Sequence, residues 1–298
     1  MAKQTRRDFL KFSAISAAAL AGVKPLKANN GEDSGLSDER MGVLVDTTVC
    51  IGCRKCEWAC KTAHNLPTDP LETYDDKSVF ATMRRPSPGS LTVVNRFENE
   101  KTKQPINVKV QCMHCNEPAC VSACIVGAFS KQQNGSVIWD TDKCIGCRYC
   151  IVACPFQVPA FEFDKALRPD ITKCDFCFSR TAEGKLPACV EMCPMEAITY
   201  GNRQQLLEVA KKRIALFPDR YKNHILGENE VGGTSWMYLS SVEFSELKFP
   251  KLPNNPAPGV SEAIQHGIFR YFVPPISLFA ILGGIMWLNK NKSHSEDE

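Results

Sequence analysis

Sixteen cysteines in a chain of 298 residues constrain this protein more than any other feature, because every one of them falls into a spaced quartet. Cys50, Cys53, Cys56 and Cys60 form C-x-x-C-x-x-C-x-x-x-C, and Cys144, Cys147, Cys150 and Cys154 repeat the run and add Pro155. Cys112, Cys115, Cys120 and Cys124 widen the middle gap to four residues, while Cys174, Cys177, Cys189 and Cys193, followed by Pro194, widen it to eleven. No cysteine is left over. Such usage has to be explained as disulfides, metal ligands or redox centres, and the spacing chooses among them.

A cubane iron–sulfur cluster needs four thiolates at tetrahedral corners. C-x-x-C-x-x-C wraps three around one corner, and in two-cluster ferredoxins the fourth cysteine of each run serves the other cluster. Quartets therefore act in pairs, and four quartets imply two pairs and four 4Fe-4S clusters. Zinc is the competing structural use of C-x-x-C, but zinc sites join two such pairs across a longer stretch, which only the quartet of Cys174, Cys177, Cys189 and Cys193 resembles. On that reading the chain is a zinc-stabilised scaffold at a membrane. His114 lies inside a ligand loop and invites comparison with a Rieske ligand, yet its quartet already has four cysteines, so hydrogen bonding or packing is its expected role. Met192, Met195, Trp58 and Trp139 read as filling around the clusters. No nucleophile–base pair, phosphate loop or organic-cofactor motif is visible, so the chain reads as a non-catalytic carrier of electrons.

The two ends carry different information. Thr5-Arg6-Arg7-Asp8-Phe9-Leu10-Lys11 precedes an alanine-rich apolar stretch from Ser13 to Val23, and residues 1–28 resemble a twin-arginine export signal with a small residue at Ala28. Removing the six basic residues and one acidic residue of that segment leaves 30 Lys/Arg against 32 Asp/Glu, a net charge of −2 in place of +3. No basic field remains to attract nucleic acid. Exported cysteines ordinarily become disulfides, but cysteines that already hold iron when the chain is exported folded are not free to pair. Residues 271–288 form an uncharged run of 18 residues, about 27 Å as a helix, enough for one C-terminal transmembrane helix. Lys290 and Lys292 follow it, which favours a cytoplasmic C-terminus and a cysteine-rich body on the periplasmic side of the inner membrane.

Between the ends, Val43-Leu44-Val45, residues 107–111 and residues 136–140 read as short strands that feed ligand loops, with a turn at Asn134-Gly135. A helix is expected from Asn202 to Pro218, with Leu206, Ala210, Ile214 and Phe217 on its apolar face. Residues 61–111 are rich in turns and read as an insertion in the 41–215 cluster domain. Residues 216–260 form an extension that ends in a proline-rich linker, Pro250 to Gly259.

The order of the quartets, with Cys112-Met113-His114-Cys115 and Pro118, Cys144 to Pro155 (CIGCRYCIVACP) and Cys189 to Pro194 (CVEMCP), resembles the iron–sulfur beta subunits of the formate dehydrogenase, polysulfide reductase and dimethyl sulfoxide reductase family. Gly232-Gly233-Thr234, Leu247 to Leu252 and Ile264-Gln265-His266 resemble the membrane-anchored ferredoxin-type subunits of nickel–iron hydrogenase 2. The resemblance implies an α+β fold of two interleaved bacterial-ferredoxin-like modules, one inserted in the other, with small antiparallel sheets. It implies a swapped ligation. Cys193 completes the site of Cys50, Cys53 and Cys56; Cys60 that of Cys174, Cys177 and Cys189; Cys154 that of Cys112, Cys115 and Cys120; and Cys124 that of Cys144, Cys147 and Cys150. Proline often follows the last cysteine of a run in this family, whereas Lys61 and Ile125 stand there in this chain. The implied partners are a hydrogenase small subunit, or the catalytic subunit of a formate dehydrogenase or molybdopterin oxidoreductase, and an integral membrane quinone-reactive subunit. His266 is expected as a capping or surface residue.

Overall fold

The computed structural model describes residues 40–165, 169–258, 278–279 and 281–286. The chain divides into a unit of Ser34–Glu262 and a second of Met1–Asp33 with Ala263–Glu298. The expected export signal and His266 lie outside the described residues, and of the 271–288 run only 278–279 and 281–286, all helical, lie within them. Among the described residues no helix is long and apolar enough to cross a membrane.

The larger unit is built on strand β1 (Met41–Asp46), whose run Val43-Leu44-Val45 is at most 1% exposed on either face. It reads as continuously apolar because it is the middle strand of three. On one side β8 (Ile198–Asn202) pairs antiparallel with it, Val43 opposite Tyr200; on the other β9 (Trp236–Leu239) pairs parallel, Val43 opposite Trp236. The remaining sheets are two-stranded and antiparallel: β2 (Val93–Glu98) with β3 (Pro105–Val110), β4 (Phe129–Lys131) with β5 (Val137–Trp139), and β6 (Ala160–Phe161) with β7 (Ile171–Thr172). The expected small antiparallel sheets are thus present, with the β1–β9 pairing as a parallel exception. That exception arises because the 216–260 segment, which shows no strand alternation in sequence, returns a wholly buried strand to the middle of the fold.

Five helices of nine residues or fewer carry cysteines or flank them: α1 (Lys55–Ala63), α2 (Ala119–Ser122), α3 (Tyr149–Ala153), α4 (Phe178–Ala182) and α5 (Ala188–Glu191). The long helix α6 (Arg203–Leu216) starts where Asn202 caps it, its side-chain carbonyl accepting from the N–H groups of Gln204 at 3.0 Å and Gln205 at 3.2 Å. Leu206, Leu207 and Ala210, with Ile214 beside them, pack on Leu44, Met237 and Leu239. Phe217 departs from expectation: the helix ends at Leu216 ahead of Pro218, and Phe217, as its cap, turns out of the helical face and is 54% exposed.

The segment 61–111 takes up the end of α1, then forms two turns of 3₁₀ helix, Leu71–Asp75 and Ser78–Ala81, and the β2–β3 hairpin. That hairpin belongs to the core, since Val94, Ile106 and Val108 share one buried cluster with Val43, Val45 and Trp236. Buried Glu57 on α1 ties it down. Its carboxylate accepts from Arg84 at 2.6 and 3.1 Å, from Arg54 at 3.3 Å and from the backbone N–H of Val94 at 2.6 Å.

Candidate functional site

The ligand loops repeat each other in backbone as well as in sequence. In Cys50-Ile51-Gly52-Cys53-Arg54 and Cys144-Ile145-Gly146-Cys147-Arg148, both glycines sit at φ 69° and both arginines at φ 61°. These left-handed positions curl the chain so that successive sulfurs face one point. Gly52 has a further reason to be glycine: a Cβ there would stand 2.4 Å from Asn107 Oδ1, whose amide nitrogen donates to Cys50 O at 2.9 Å. The other two quartets share a different device. Pro118 and Pro187 precede the short helices α2 and α5, which carry Cys120 and Cys189 inward, both under 9% exposed.

Helix packing then mixes the quartets, because α1 lies on α5 and α2 on α3. Cys193 is brought beside Cys50 and Cys53, and Cys50, Cys53, Cys56 and Cys193 line one recess of about 420 Å³, counting the solvent at its mouth. Cys60 is brought to Cys174, Cys177 and Cys189. Cys154 stands with Cys112, Cys115 and Cys120, and Cys124 with Cys144, Cys147 and Cys150. The structure therefore gathers the sixteen cysteines into four sets, each with three members from one quartet and the fourth from another. Neighbouring sets also lie within electrostatic reach of one another: Cys56 of Cys189, Cys174 of Cys112, and Cys120 of Cys150. These three pairs link the four sets in a row.

All sixteen cysteines are free of disulfides. Burial pushes the Cys50 thiol up to about 11, with the crowding of Cys193 and Cys53 adding to it. Burial likewise lifts Cys120 to about 12 against the opposing charge of Lys173, and Cys177 to about 12 with Cys189 beside it. Cys115 and Cys174 are held well above the usual thiol range by burial first and by other sulfurs second. Four thiols packed this way resist losing protons by themselves and suit a centre whose own positive charge makes thiolates of them. Backbone groups are placed for such sulfurs: Ala128 N–H donates to Cys124 Sγ at 3.2 Å and Phe176 N–H to Cys174 Sγ at 3.4 Å. The residues present fit four iron–sulfur clusters.

His114 is wholly buried, and its Nδ1 accepts from the Val137 N–H at 2.8 Å while its ring lies 4.9 Å from that of Phe176. Packing and hydrogen bonding are its visible work. Met192 and Trp58 pack on Ala59, Cys177 and Ala188, Trp139 lies against the Cys120–Cys150 cluster, and Met195 lines the recess at Cys50. Three features of the site escaped sequence reading. His64, one turn after Cys60, donates from Nε2 to Asp175 Oδ1 at 2.8 Å and from Nδ1 to Cys60 O at 2.8 Å, joining the first quartet to the fourth. Lys109 and Lys173 are 2% and 1% exposed, deep between the cysteine sets. Strand alternation is silent about a buried lysine, and no motif announces one.

The row of sets has an uneven surface. Cys147 is exposed, and around it Ile145, Tyr149 and Val152, with Ile125 beyond Cys124, are 55–80% exposed. In the middle sets Cys112, Cys120, Cys174, Cys177 and Cys189 are buried, and at the far end Cys50, Cys53 and Cys193 are partly exposed.

Models of a 4Fe-4S dicluster domain match residues 49–128 and residues 105–203. The chain is 31% identical to the hydrogenase-2 operon protein HybA of Escherichia coli O157:H7, over 98% of this chain and 97% of that one. It is 31% identical to the nitrate-inducible formate dehydrogenase iron–sulfur subunit of Escherichia coli K12, over 86% of this chain and 87% of the other. A protein of Nitratidesulfovibrio vulgaris is 51% identical over 80% of this chain, which spans 65% of that relative's length.

Proposed function

Because the chain belongs to the family of ferredoxin-type 4Fe-4S subunits that includes HybA and the formate dehydrogenase iron–sulfur subunits, and is an electron-transfer subunit, we propose that it relays electrons from a periplasmic hydrogenase small subunit to a quinone-reactive membrane subunit through four 4Fe-4S clusters. The observation that carries this reading is the single row of four cysteine sets linked through Cys56–Cys189, Cys174–Cys112 and Cys120–Cys150. Each cluster, when bound, supplies a site that takes and gives one electron without breaking a bond. The chain does the rest. Twelve thiols on four loops and four more from the paired loops hold the centres, two interleaved ferredoxin-like modules fix their spacing, and the buried apolar clusters keep water from the inner sites.

The exposed apolar residues around Cys147 support that end as a point of entry or exit, since a partner's redox centre can approach a surface cluster and not a buried one. A hydrogenase-type partner is supported over a formate dehydrogenase or molybdopterin enzyme by coverage: the likeness to the hydrogenase-2 operon protein runs through nearly the whole of both chains. The twin-arginine sequence of residues 1–28 and the apolar run of 271–288 support a periplasmic cluster domain held to the inner membrane by one helix. Iron analysis of the purified chain tests the reading, with about 16 irons expected from four cubanes. Zinc in place of iron would leave the membrane scaffold as the function.

A further inference from the structure

We propose that Lys109 sets the reduction potentials of the two cysteine sets on either side of it, Cys50–Cys53–Cys56–Cys193 and Cys174–Cys177–Cys189–Cys60, by holding one fixed positive charge between them. This rests on the four-cluster reading and adds to it a residue that binds no iron.

The ammonium is placed and immobilised by neutral groups. Lys109 stands on β3 and is 2% exposed; its Nζ donates to Thr92 Oγ1 at 2.8 Å and to Gln111 Oε1 at 2.9 Å, and lies 4.4 Å from the ring centre of Trp236. Among the described residues no carboxylate pairs with it. A buried ammonium with no anion near it would give up its proton. Burial opposes the charge and the sulfurs around it favour it, but its place is fixed by geometry: Lys109 lines the recess of Cys50, Cys53, Cys56 and Cys193, and Trp236, beside its ammonium, shares one buried cluster with Cys56 and Cys189. Lys173, the other fully buried lysine beside the sets, donates from its Nζ to Cys174 O at 3.0 Å and to Val137 O.

A loaded set is a net anion, and taking one electron makes it more negative by one unit. A fixed cation in a dry site stabilises the reduced form more than the oxidised one and raises the potential. One electron arrives from the neighbouring centre, no bond is made or broken, and no proton moves, because Lys109 is an ammonium before and after. Lysine suits this position as a compact point charge. The consequence is a pair of sets whose potentials lie higher than they would without Lys109.

The test is a redox titration of the full-length, cluster-loaded protein, followed by electron paramagnetic resonance, in wild type, Lys109→Met and Gln111→Glu. The first variant removes the charge at similar length, and the second places a carboxylate against Nζ. In each, two of the four signals should lose at least tenfold in their reduced-to-oxidised ratio at fixed potential, a downward shift of about 59 mV for a one-electron couple, while the other two stay in place. Four unmoved potentials, or four equal shifts, would overturn the proposal. So would loss of iron from both variants, which makes Lys109 a folding residue; if only Lys109→Met loses iron, the Gln111→Glu titration decides. Failure of the four-cluster reading shows itself separately, as a deficit of iron in the wild type.

Discussion

His64 Nε2 meets Asp175 Oδ1 at 2.8 Å, joining the helix that carries Cys60 to the loop that carries Cys174 and Cys177. The same imidazole holds Cys60 O at 2.8 Å through Nδ1, and Asp175 Oδ1 also accepts from the Cys177 N–H at 2.8 Å. One pair thus clamps the set of Cys60, Cys174, Cys177 and Cys189.

Burial works against a charged His64, but its bonds to Asp175 and Cys60 outweigh burial and hold it at about 11, while Asp175 is lowered by His64 in spite of its own burial. The raised histidine contributes stability that is fully present below its unfolded value near 6.5 and is lost as pH climbs toward about 11. The lowered aspartate contributes above its unfolded value of 3.8 and loses its share in acid. His64→Ala should therefore cost about 1.5–3 kcal/mol near pH 5–6. Thermal unfolding across pH should show the gap from wild type narrowing steadily above pH 6.5.

Glycine at 52 is held by sterics on two counts, a φ of 69° and a Cβ position 2.4 Å from Asn107 Oδ1. Gly184 has a similar φ of 75° with nothing within 4 Å of its Cβ position. Gly52→Ala should pay the left-handed penalty of about 1–2 kcal/mol and also displace Asn107 from Cys50 O. Gly184→Ala should pay the first only. Iron content after gel filtration should fall in Gly52→Ala and hold in Gly184→Ala; equal retention would refute the packing argument.

Removing the carboxylate charge of Glu57 strands Arg54 and Arg84 at a site where Glu57 itself is 1% exposed. Glu57→Gln should destabilise the protein by about 3–5 kcal/mol, read as a lowered thermal midpoint. The loss should be smaller in the double variant with Arg84→Met, since the stranded charge goes with it.

Swapped ligation makes a sharp spectroscopic expectation, because Cys193 lies beside Cys50 and Cys53. Cys193→Ala should abolish or convert the signal of the Cys50–Cys53–Cys56 set, and Cys60→Ala that of the Cys174–Cys177–Cys189 set. Each variant should leave the other three signals in place. If Cys193→Ala disturbed the Cys174–Cys177–Cys189 signal alone, ligation within quartets would be the rule.

Topology is testable at both termini. Replacing Arg6 and Arg7 by lysines should block export, seen as loss of the protein from the periplasmic face by protease accessibility of spheroplasts. Ending the chain at Pro258 should release a soluble protein that keeps its iron, because the described core elements, from β1 at Met41 to β9 ending at Leu239, all precede that point. Membrane attachment of the shortened chain by itself would place the anchor elsewhere.

Cysteine spacing alone determined the chemistry of this chain, because a cubane's tetrahedral demand is local: C-x-x-C-x-x-C with a left-handed Gly52 or Gly146 brings three sulfurs to one point within seven residues. Asn202 and Pro218 marked the ends of α6 for the same reason, since caps and breakers act within a turn. What lay beyond local range needed the tertiary structure. That β9 fills the middle sheet in parallel with β1, that the hairpin after residue 92 enters the core, and that Cys56, Cys174 and Cys120 join four sets into one row all depend on packing between distant segments. The buried ammonium of Lys109 is the clearest case: in sequence it is one more polar residue on an alternating strand, and only the closing of β3 over the cysteine loops takes its charge out of water and sets it between their sulfurs.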